Sequence, residues 1–345
     1  MQKVNQLLRK ALVAGVAATA LASPFASAET TIGSYGELHY NNLDKDGVDS
    51  VDIDFHRFVL MIEHEFNSKT RVVTEFELEH ALAGEGKPGE VELEQAYVEL
   101  DLDKNSNIKT GVFLIPVGIM NETHEPTTFY GVERNPVEKN IIPTTWWEAG
   151  VMYSANTATG LSYDLAIHSG LHEDFAGNAG DIRKSRQKVA KANGEALAYT
   201  ARVKYTGMPG LELAGTYHQQ TDLSQGAVVV GGMGAATLVE VHAKYKKGAL
   251  GLMALHAAWD IDVASDAKSQ SGTILEASYK VSKKMGVFVR QDSWTNDNGV
   301  SDKTQSNVGV NYWPHEDVVF KFDVQAQNAD AGNADGFNLG VGYQF

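Results

Sequence analysis

The feature that most constrains this chain is a long series of short segments in which apolar and polar residues alternate. After residue 28 no apolar run is long enough for a membrane helix. Val318, Phe320, Phe322, Val324 and Ala326 share one face of an extended segment, and Lys321, Asp323, Gln325 and Gln327 share the other. Tyr199, Ala201, Val203 and Tyr205 alternate with Thr200, Arg202 and Lys204; Val239, Val241, Ala243 and Tyr245 alternate with Glu240, His242, Lys244 and Lys246. Successive side chains on a strand point to opposite faces, so this period makes one face apolar and one wet. A chain of such segments, each near ten residues, can cross a membrane only as a closed barrel.

The pattern predicts strands over 31–41, 50–66, 70–82, 90–102, 107–117, 146–154, 160–170, 194–206, 210–221, 235–246, 249–260, 271–281, 285–294, 304–313, 317–327 and 335–345. Near His56-Arg57-Phe58 the alternation slips, which predicts a bulge. Short turns, such as Asn67–Lys69 and Lys247–Gly248, alternate with longer connections over 42–49, 83–89, 118–145, 171–193, 222–234, 261–270, 295–303 and 328–334. Short turns at one end and long loops at the other are what a membrane barrel needs, and an even strand count returns both termini to one side. The expected fold class is therefore all-β: a transmembrane antiparallel β-barrel of sixteen strands, with a long loop folded into the lumen.

Residues 1–28 read as a signal peptide. Lys3, Arg9 and Lys10 precede an apolar stretch from Ala11 to Ala22, and Ala26-Ser27-Ala28 supplies the small residues of a cleavage site. Residues 29–345 then form the barrel. The chain carries a net charge of −15, and loss of the signal makes it more acidic, which argues against a nucleic-acid binder. The absence of cysteine excludes disulfides, thiol catalysis and Cys-bound zinc. Gly supplies 33 of 345 residues, a share that suits turns and close-packed strands.

Aromatic residues fall near predicted strand ends. Tyr153, Tyr205, Tyr245, Tyr279, Tyr312, Trp313, Tyr343 and Phe345 fall at the short-turn end; Trp146, Trp147, Tyr217, Trp259 and Trp294 fall at the long-loop end. Two such levels are expected to form the interfacial girdles of a membrane barrel. The last segment alternates Phe337, Leu339, Val341, Tyr343 and Phe345 with polar residues and glycines. It resembles the closing strand of bacterial outer-membrane proteins, which the barrel-insertion machinery reads.

Between Lys109 and Gly150 the sequence resembles the phosphate-selective porin O and P family. The likeness lies in Thr110-Gly111-Val112-Phe113-Leu114-Ile115-Pro116-Val117-Gly118, then Tyr130-Gly131-Val132-Glu133-Arg134-Asn135, then Ile142-Pro143 before Trp146, with Gln95-Ala96-Tyr97-Val98 upstream. This resemblance implies a trimeric diffusion channel in the outer membrane of a Gram-negative bacterium, with lipopolysaccharide around it. It implies passage of small hydrophilic solutes and ions, anions such as phosphate among them. The chain lacks the dense arginine ladder of phosphate-specific members.

The 28-residue connection 118–145 is the longest, and its prolines and the apolar pair Ile141-Ile142 suggest an ordered, docked loop. Its charges, Glu122, His124, Glu125, Glu133, Arg134, Glu138 and Lys139, are the candidates for a pore constriction. On parity the inward acidic residues, Asp52, Asp54, Glu75, Glu77, Glu79, Glu92, Glu94, Glu99 and Asp101, come early. The inward basic candidates, Arg202, Lys204, Arg290 and Lys321 with Lys244, Lys246 and Lys280, come late. Sequence-adjacent strands are neighbours, so the two sets would face each other across the lumen. The loop's own balance favours cations weakly and the basic arc favours anions, which leaves the sign of selectivity open. Asp181 to Arg186, with Arg183, Lys184 and Arg186, forms a basic extracellular loop that could guide anions or lie solvated.

No metal or cofactor site is expected. Asp44 to Asp49 lacks the twelve-residue calcium pattern. His39, His56, His64 and His80 read as wall residues rather than ligands, and no H-E-x-x-H, G-x-S-x-G or phosphate-binding loop occurs. Asn121-Glu122-Thr123 fits a glycosylation sequon of no weight in a bacterial outer membrane. The leading expectation is a passive porin, not an enzyme. The alternatives are a barrel lipase or protease, which needs a Ser/His or Asp/His constellation, and an adhesin, whose affinity would lie in its loops.

Overall fold

A computed structural model describes residues 28–173, 182–227, 233–263, 268–296, 302–329 and 332–345. The expected signal peptide up to Ser27, and Asp181 of the basic loop, lie outside the described residues. The strands are β1 (Glu29–Lys45), β2 (Val48–Asn67), β3 (Thr70–Glu79), β4 (Val91–Asp103), β5 (Ser106–Leu114), β6 (Trp147–Asn156), β7 (Leu161–His168) and β8 (Ala198–Tyr205). They continue as β9 (Leu211–Gln220), β10 (Met233–Lys247), β11 (Leu250–Val263), β12 (Lys268–Ser282), β13 (Met285–Thr295), β14 (Lys303–His315), β15 (Val318–Ala329) and β16 (Asp335–Gln344). Each pairs antiparallel with its neighbours in sequence, and β1 pairs with β16, so the sheet closes on itself. The closure reaches the final residue: Ser34 N–H donates to the Phe345 carbonyl at 3.0 Å and Phe345 N–H to the Ser34 carbonyl at 2.9 Å. A closed sheet leaves no edge strand to satisfy.

All sixteen expected strands are present. One expected long connection is absent: 42–49 is a hairpin in which Lys45 pairs with Val48. Its two turn residues, Asp46 and Gly47, have φ of 56° and 81°, the left-handed pair of a tight hairpin turn. Beyond an apolar band both faces of a hairpin meet water. The alternation then fades from the sequence while the hydrogen-bond ladder continues.

The outer wall exposes Leu252, Leu275, Val289, Val308, Phe320, Val324 and Leu339. A continuous apolar exterior over a polar interior suits hydrocarbon. Tyr153, Tyr279, Tyr312 and Phe345 face outward at the short-turn end, as a girdle requires. Trp313 does not: Lys280 Nζ sits 3.0 Å from its ring centroid and Tyr130 meets it edge-on.

The expected long-loop girdle is corrected. Tyr217 faces outward, but Trp146, Trp147, Trp259 and Trp294 are buried inside the barrel, at 0, 3, 1 and 6% exposure. With them lie Leu238, Leu255, Ala257, Ile261 and Ile274, whose strand faces point inward. The rule that apolar faces meet lipid therefore fails on the long-loop half of β10–β13. There the inner wall packs against protein instead of water.

The predicted slip in β2 is a bulge. Glu37 pairs with Arg57 and Leu38 with Phe55, which leaves His56 as the extra residue. A second bulge lies in β4, where Glu75 pairs with Gln95 and Phe76 with Leu93, leaving Glu94 extra.

Candidate functional site

The connection from β5 to β6, residues 115–146, folds into the barrel. Its mouth is tied by Asn121. The side-chain amide of Asn121 donates to the carbonyls of Ile115 and Trp146 at 2.8 and 2.9 Å, and its oxygen accepts from Trp146 N–H at 2.7 Å. Both ends of the loop are thus held by one fully buried side chain. Inside the loop a short helix, α1 (Pro136–Asn140), starts at Asn135, whose side chain accepts from Glu138 N–H.

The loop then touches walls on every side. Glu122 pairs with Arg202 on β8, and His124 hydrogen-bonds Tyr35 on β1 at 2.7 Å. Arg290 on β13 donates to the Tyr130 carbonyl, and Val132 N–H donates to Asp323 on β15 at 2.8 Å. Trp259 on β11 donates to the Ile141 carbonyl at 2.7 Å. This contact explains the buried tryptophans: Val137, Ile141 and Ile142 give the loop an apolar flank, and the inner wall is apolar to receive it. Wall glycines make room. A Cβ at Gly272 would lie 2.6 Å from Val137 Cγ1, and one at Gly342 would lie 2.4 Å from Pro126 Cβ.

So placed, the loop lines a cavity toward each end of the barrel. At the short-turn end a cavity of about 820 Å³ is lined by Met120, Thr127, Phe129, Tyr130 and Asn135 of the loop. Its wall carries Lys244, Lys246, Lys280, Lys283, Lys284 and Arg290 against Glu276 and Glu316. At the long-loop end a cavity of about 560 Å³ is lined by Glu133, Arg134, Lys139 and Asn140 of the loop, and by Asn41, Lys45, Asp52, Lys303 and Gln325 of the wall.

The seven loop candidates therefore separate. Glu133, Arg134 and Lys139 line the long-loop cavity. Glu133 accepts from His39 at 2.9 Å and from Asn41 at 3.0 Å. Burial would raise its carboxyl, but the hydrogen bond and charge of His39 hold it well below the usual carboxylate range. Arg134 donates to Thr145 Oγ1 at 2.7 Å. Glu122 is exposed and paired with Arg202, whose Nε is also held by Asp164 at 2.9 Å. Glu125 keeps one buried oxygen without a hydrogen bond.

Glu138 lines neither cavity. It is fully buried, and its Oε1 accepts from Ile119 N–H at 2.6 Å and Met120 N–H at 2.7 Å while Oε2 accepts from Asn135 at 2.8 Å. It fastens the loop to itself.

The wall cations differ in the same way. Arg202 and Arg290 are buried beside carboxylates, Arg290 Nε lying 3.1 Å from Asp292. Lys321 is buried with its ammonium 3.5 Å from the centroid of the Phe129 ring and without a hydrogen-bond partner. Lys204 is half-buried. In the basic loop, Lys184 is exposed, but Arg183 donates to the carbonyls of Lys139 and Thr144, and Arg186 to that of Thr145. These two arginines brace the inserted loop from above. The early acidic set does point inward on β2–β4, but Glu77 pairs with Arg57, and Glu99 and Asp101 pair with Arg71.

Sequence reasoning missed two groups. Asn121 was legible only as a sequon, because a side chain that bonds backbone across a loop has no local pattern. The cluster of Tyr35, Glu75, Glu94 and His124 was likewise hidden. His124 Nε2 lies 3.4 Å from Glu94 and 3.7 Å from Glu75, in a pocket made by the β4 bulge. Burial pushes His124 down, but the hydrogen bonds of Glu75 and Glu94 outweigh it and raise the ring to about 9. A raised folded-state value means that this contribution to loop docking is complete below about 6.5, the unfolded value, and is lost as pH rises through about 9. Single-channel current noise is expected to grow between pH 7 and pH 10, and His124→Gln is expected to remove that pH dependence. Equal pH dependence in both proteins would refute the assignment.

No family model matches the sequence. A protein of Aquifex aeolicus (strain VF5), described as uncharacterized, is 39% identical over 180 residues, which is 51% of this chain and 40% of that protein. The chain thus spans less than half the length of that relative. Among solved structures, the anion-selective porin from Comamonas acidovorans superposes with a TM-score of 0.68 at 12% identity, over 92% of this chain and 100% of that one. The shared fold is that of an outer-membrane porin. The outer membrane channel DcaP of Acinetobacter baumannii gives 0.63 at 11% identity, over 93% and 98% of the two chains. The trimer form of OmpT, an outer membrane protein of Vibrio cholerae, gives 0.60 at 11%, over 92% and 99%. A porin barrel of sixteen strands encloses an aqueous lumen rather than a packed core. In this sixteen-stranded barrel the loop of residues 115–146 lies within the lumen and is docked on the wall.

Proposed function

We propose that the protein is a passive diffusion channel of the outer membrane for small hydrophilic solutes and ions, and that residues 115–146 form its constriction. The observation that carries this reading is a loop docked on the wall all round, which lines a cavity of about 820 Å³ on one side and one of about 560 Å³ on the other. Glu133, Arg134 and Lys139 are then the charges a solute meets from the long-loop side. Assembly as a homotrimer follows the likeness to the trimeric OmpT.

The preference is for anions. Six cations against two carboxylates surround the short-turn cavity. The Debye length is about 8 Å at physiological salt, so charges at the cavity walls act while those on outer loops are screened. Phosphate, which the sequence resemblance implies, would bind these lysines as point charges rather than an arginine ladder.

The test is a reversal potential in a planar bilayer under a salt gradient. The intact channel is expected to favour anions. Arg134→Gln and a double Lys280→Gln, Lys284→Gln variant are each expected to shift the potential towards cations, and Glu133→Gln towards anions. If all three variants conduct with an unchanged reversal potential, neither cavity sets selectivity. A protein that inserts as a folded barrel yet never conducts would sink the channel reading.

A further inference from the structure

The bulge in β2 and the end of β3 meet at one point on the inner wall. His56, the extra residue of the bulge, directs Nδ1 to Asp54 Oδ2 at 3.0 Å. His80, the first residue past β3, directs its own Nδ1 to the same carboxylate at 2.8 and 2.9 Å. One donor atom from each of the three residues fits within 4.8 Å.

Three separate devices hold this arrangement. The bulge turns His56 inward beside Arg57, where strict alternation would have sent one of them to the lipid. His80 and Ala81 take φ of 50° and 55°, a left-handed conformation uncommon for a residue such as alanine, and His80 N–H donates to the His56 carbonyl at 3.2 Å. His39 stacks on the His56 ring at 4.7 Å between centroids and 12° between planes. His39 is itself fixed by Glu37 and Glu133, so it orients the His56 ring.

We propose that Asp54, His56 and His80 form a binding site for a first-row transition-metal dication of the zinc class. Two imidazoles and one carboxylate suit zinc, cobalt, nickel or copper and not calcium or magnesium, which take all-oxygen sites. Tetrahedral ligands about 2.0–2.1 Å from zinc stand roughly 3.3 Å apart. The two imidazole-to-carboxylate spacings, 2.8 to 3.0 Å, need to open by only a few tenths of an ångström. The three side chains keep 24 to 34% of their surface exposed, which leaves an entry path and room for water in the remaining coordination positions. The acidic arc of β2–β4 supplies a field that draws a cation to this wall.

The test uses the full chain, folded in detergent and without a histidine tag, titrated with cobalt(II) and followed by visible absorption. The expected result is one saturable cobalt per chain, displaced by zinc and not by a tenfold excess of magnesium. His56→Ala and His80→Ala are each expected to weaken binding by at least about 10-fold, since even outer partners of a metal ligand are worth that much. His64→Ala, on the lipid side of β2, is expected to change nothing. His80 lies outside the strand ladder, so His80→Ala carries the test should His56→Ala disturb the bulge. No saturable binding, or binding unchanged in His80→Ala, overturns the proposal. Binding that survives His80→Ala and disappears in His124→Ala also overturns it, because the metal would then sit at Glu75, Glu94 and His124.

Discussion

Val289→Arg is expected to abolish the folded barrel under conditions where Gln327→Arg leaves it intact. Val289 is 52% exposed on the outer wall, and its cross-strand neighbours are Ala277 and Val308. It sits between Met285 at the short turn and Thr295 at the long-loop end of β13, in the middle of the apolar band. An arginine at that depth costs about 2–4 kcal/mol. That lowers the folding equilibrium constant roughly thirty- to several-hundred-fold. Gln327 lines the long-loop cavity, where an added arginine meets water. Heat-modified migration on gels and urea unfolding in detergent measure both variants. Equal stability would mean that the two faces are assigned the wrong way round.

Glu138→Ala is expected to release the inserted loop while the barrel stands. The substitution strands the buried N–H groups of Ile119 and Met120 and the amide of Asn135. A buried donor left unpaired costs about 1–3 kcal/mol, so the docked loop loses on the order of 3 kcal/mol. No strand ladder includes residue 138, and the wall should keep its resistance to heat. Single-channel noise and protease cleavage within 115–146 are both expected to rise sharply. Glu138→Gln keeps one acceptor oxygen for the two N–H groups and sets an amide against Asn135, so a smaller effect is expected. Quiet, protease-resistant channels in Glu138→Ala would show that the wall contacts alone hold the loop.

Period-two alternation determined the barrel. Lipid on one side and water on the other impose opposite demands on successive side chains, and that demand is written locally in each strand. The strand number, the antiparallel order and even the slip at His56 were legible for this reason. Local pattern failed where a third environment entered. On β10–β13 the inner wall meets neither water nor lipid but the apolar flank of residues 115–146, so Trp259, Leu255 and Ile274 carry the chemistry of a core on a face that parity assigns to the lumen. Trp146 and Trp294 read as girdle residues for the same reason.

The loop shows the same division. Its length and prolines marked it as ordered, but they could not say that Glu138 and Asn121 hold it together while Glu133 and Arg134 face a cavity. Those assignments depend on which backbone groups are left unpaired after folding, and pairing across a loop has no sequence period. Asp54, His56 and His80 are the sharpest case: on the sequence they are three scattered wall residues. Only a bulge that adds one residue to β2, and a left-handed turn that ends β3, bring two imidazoles to one carboxylate. The sequence by itself determined which faces are wet; the tertiary structure decided which wet residues meet, because meeting depends on bulges and loop docking that alternation does not encode.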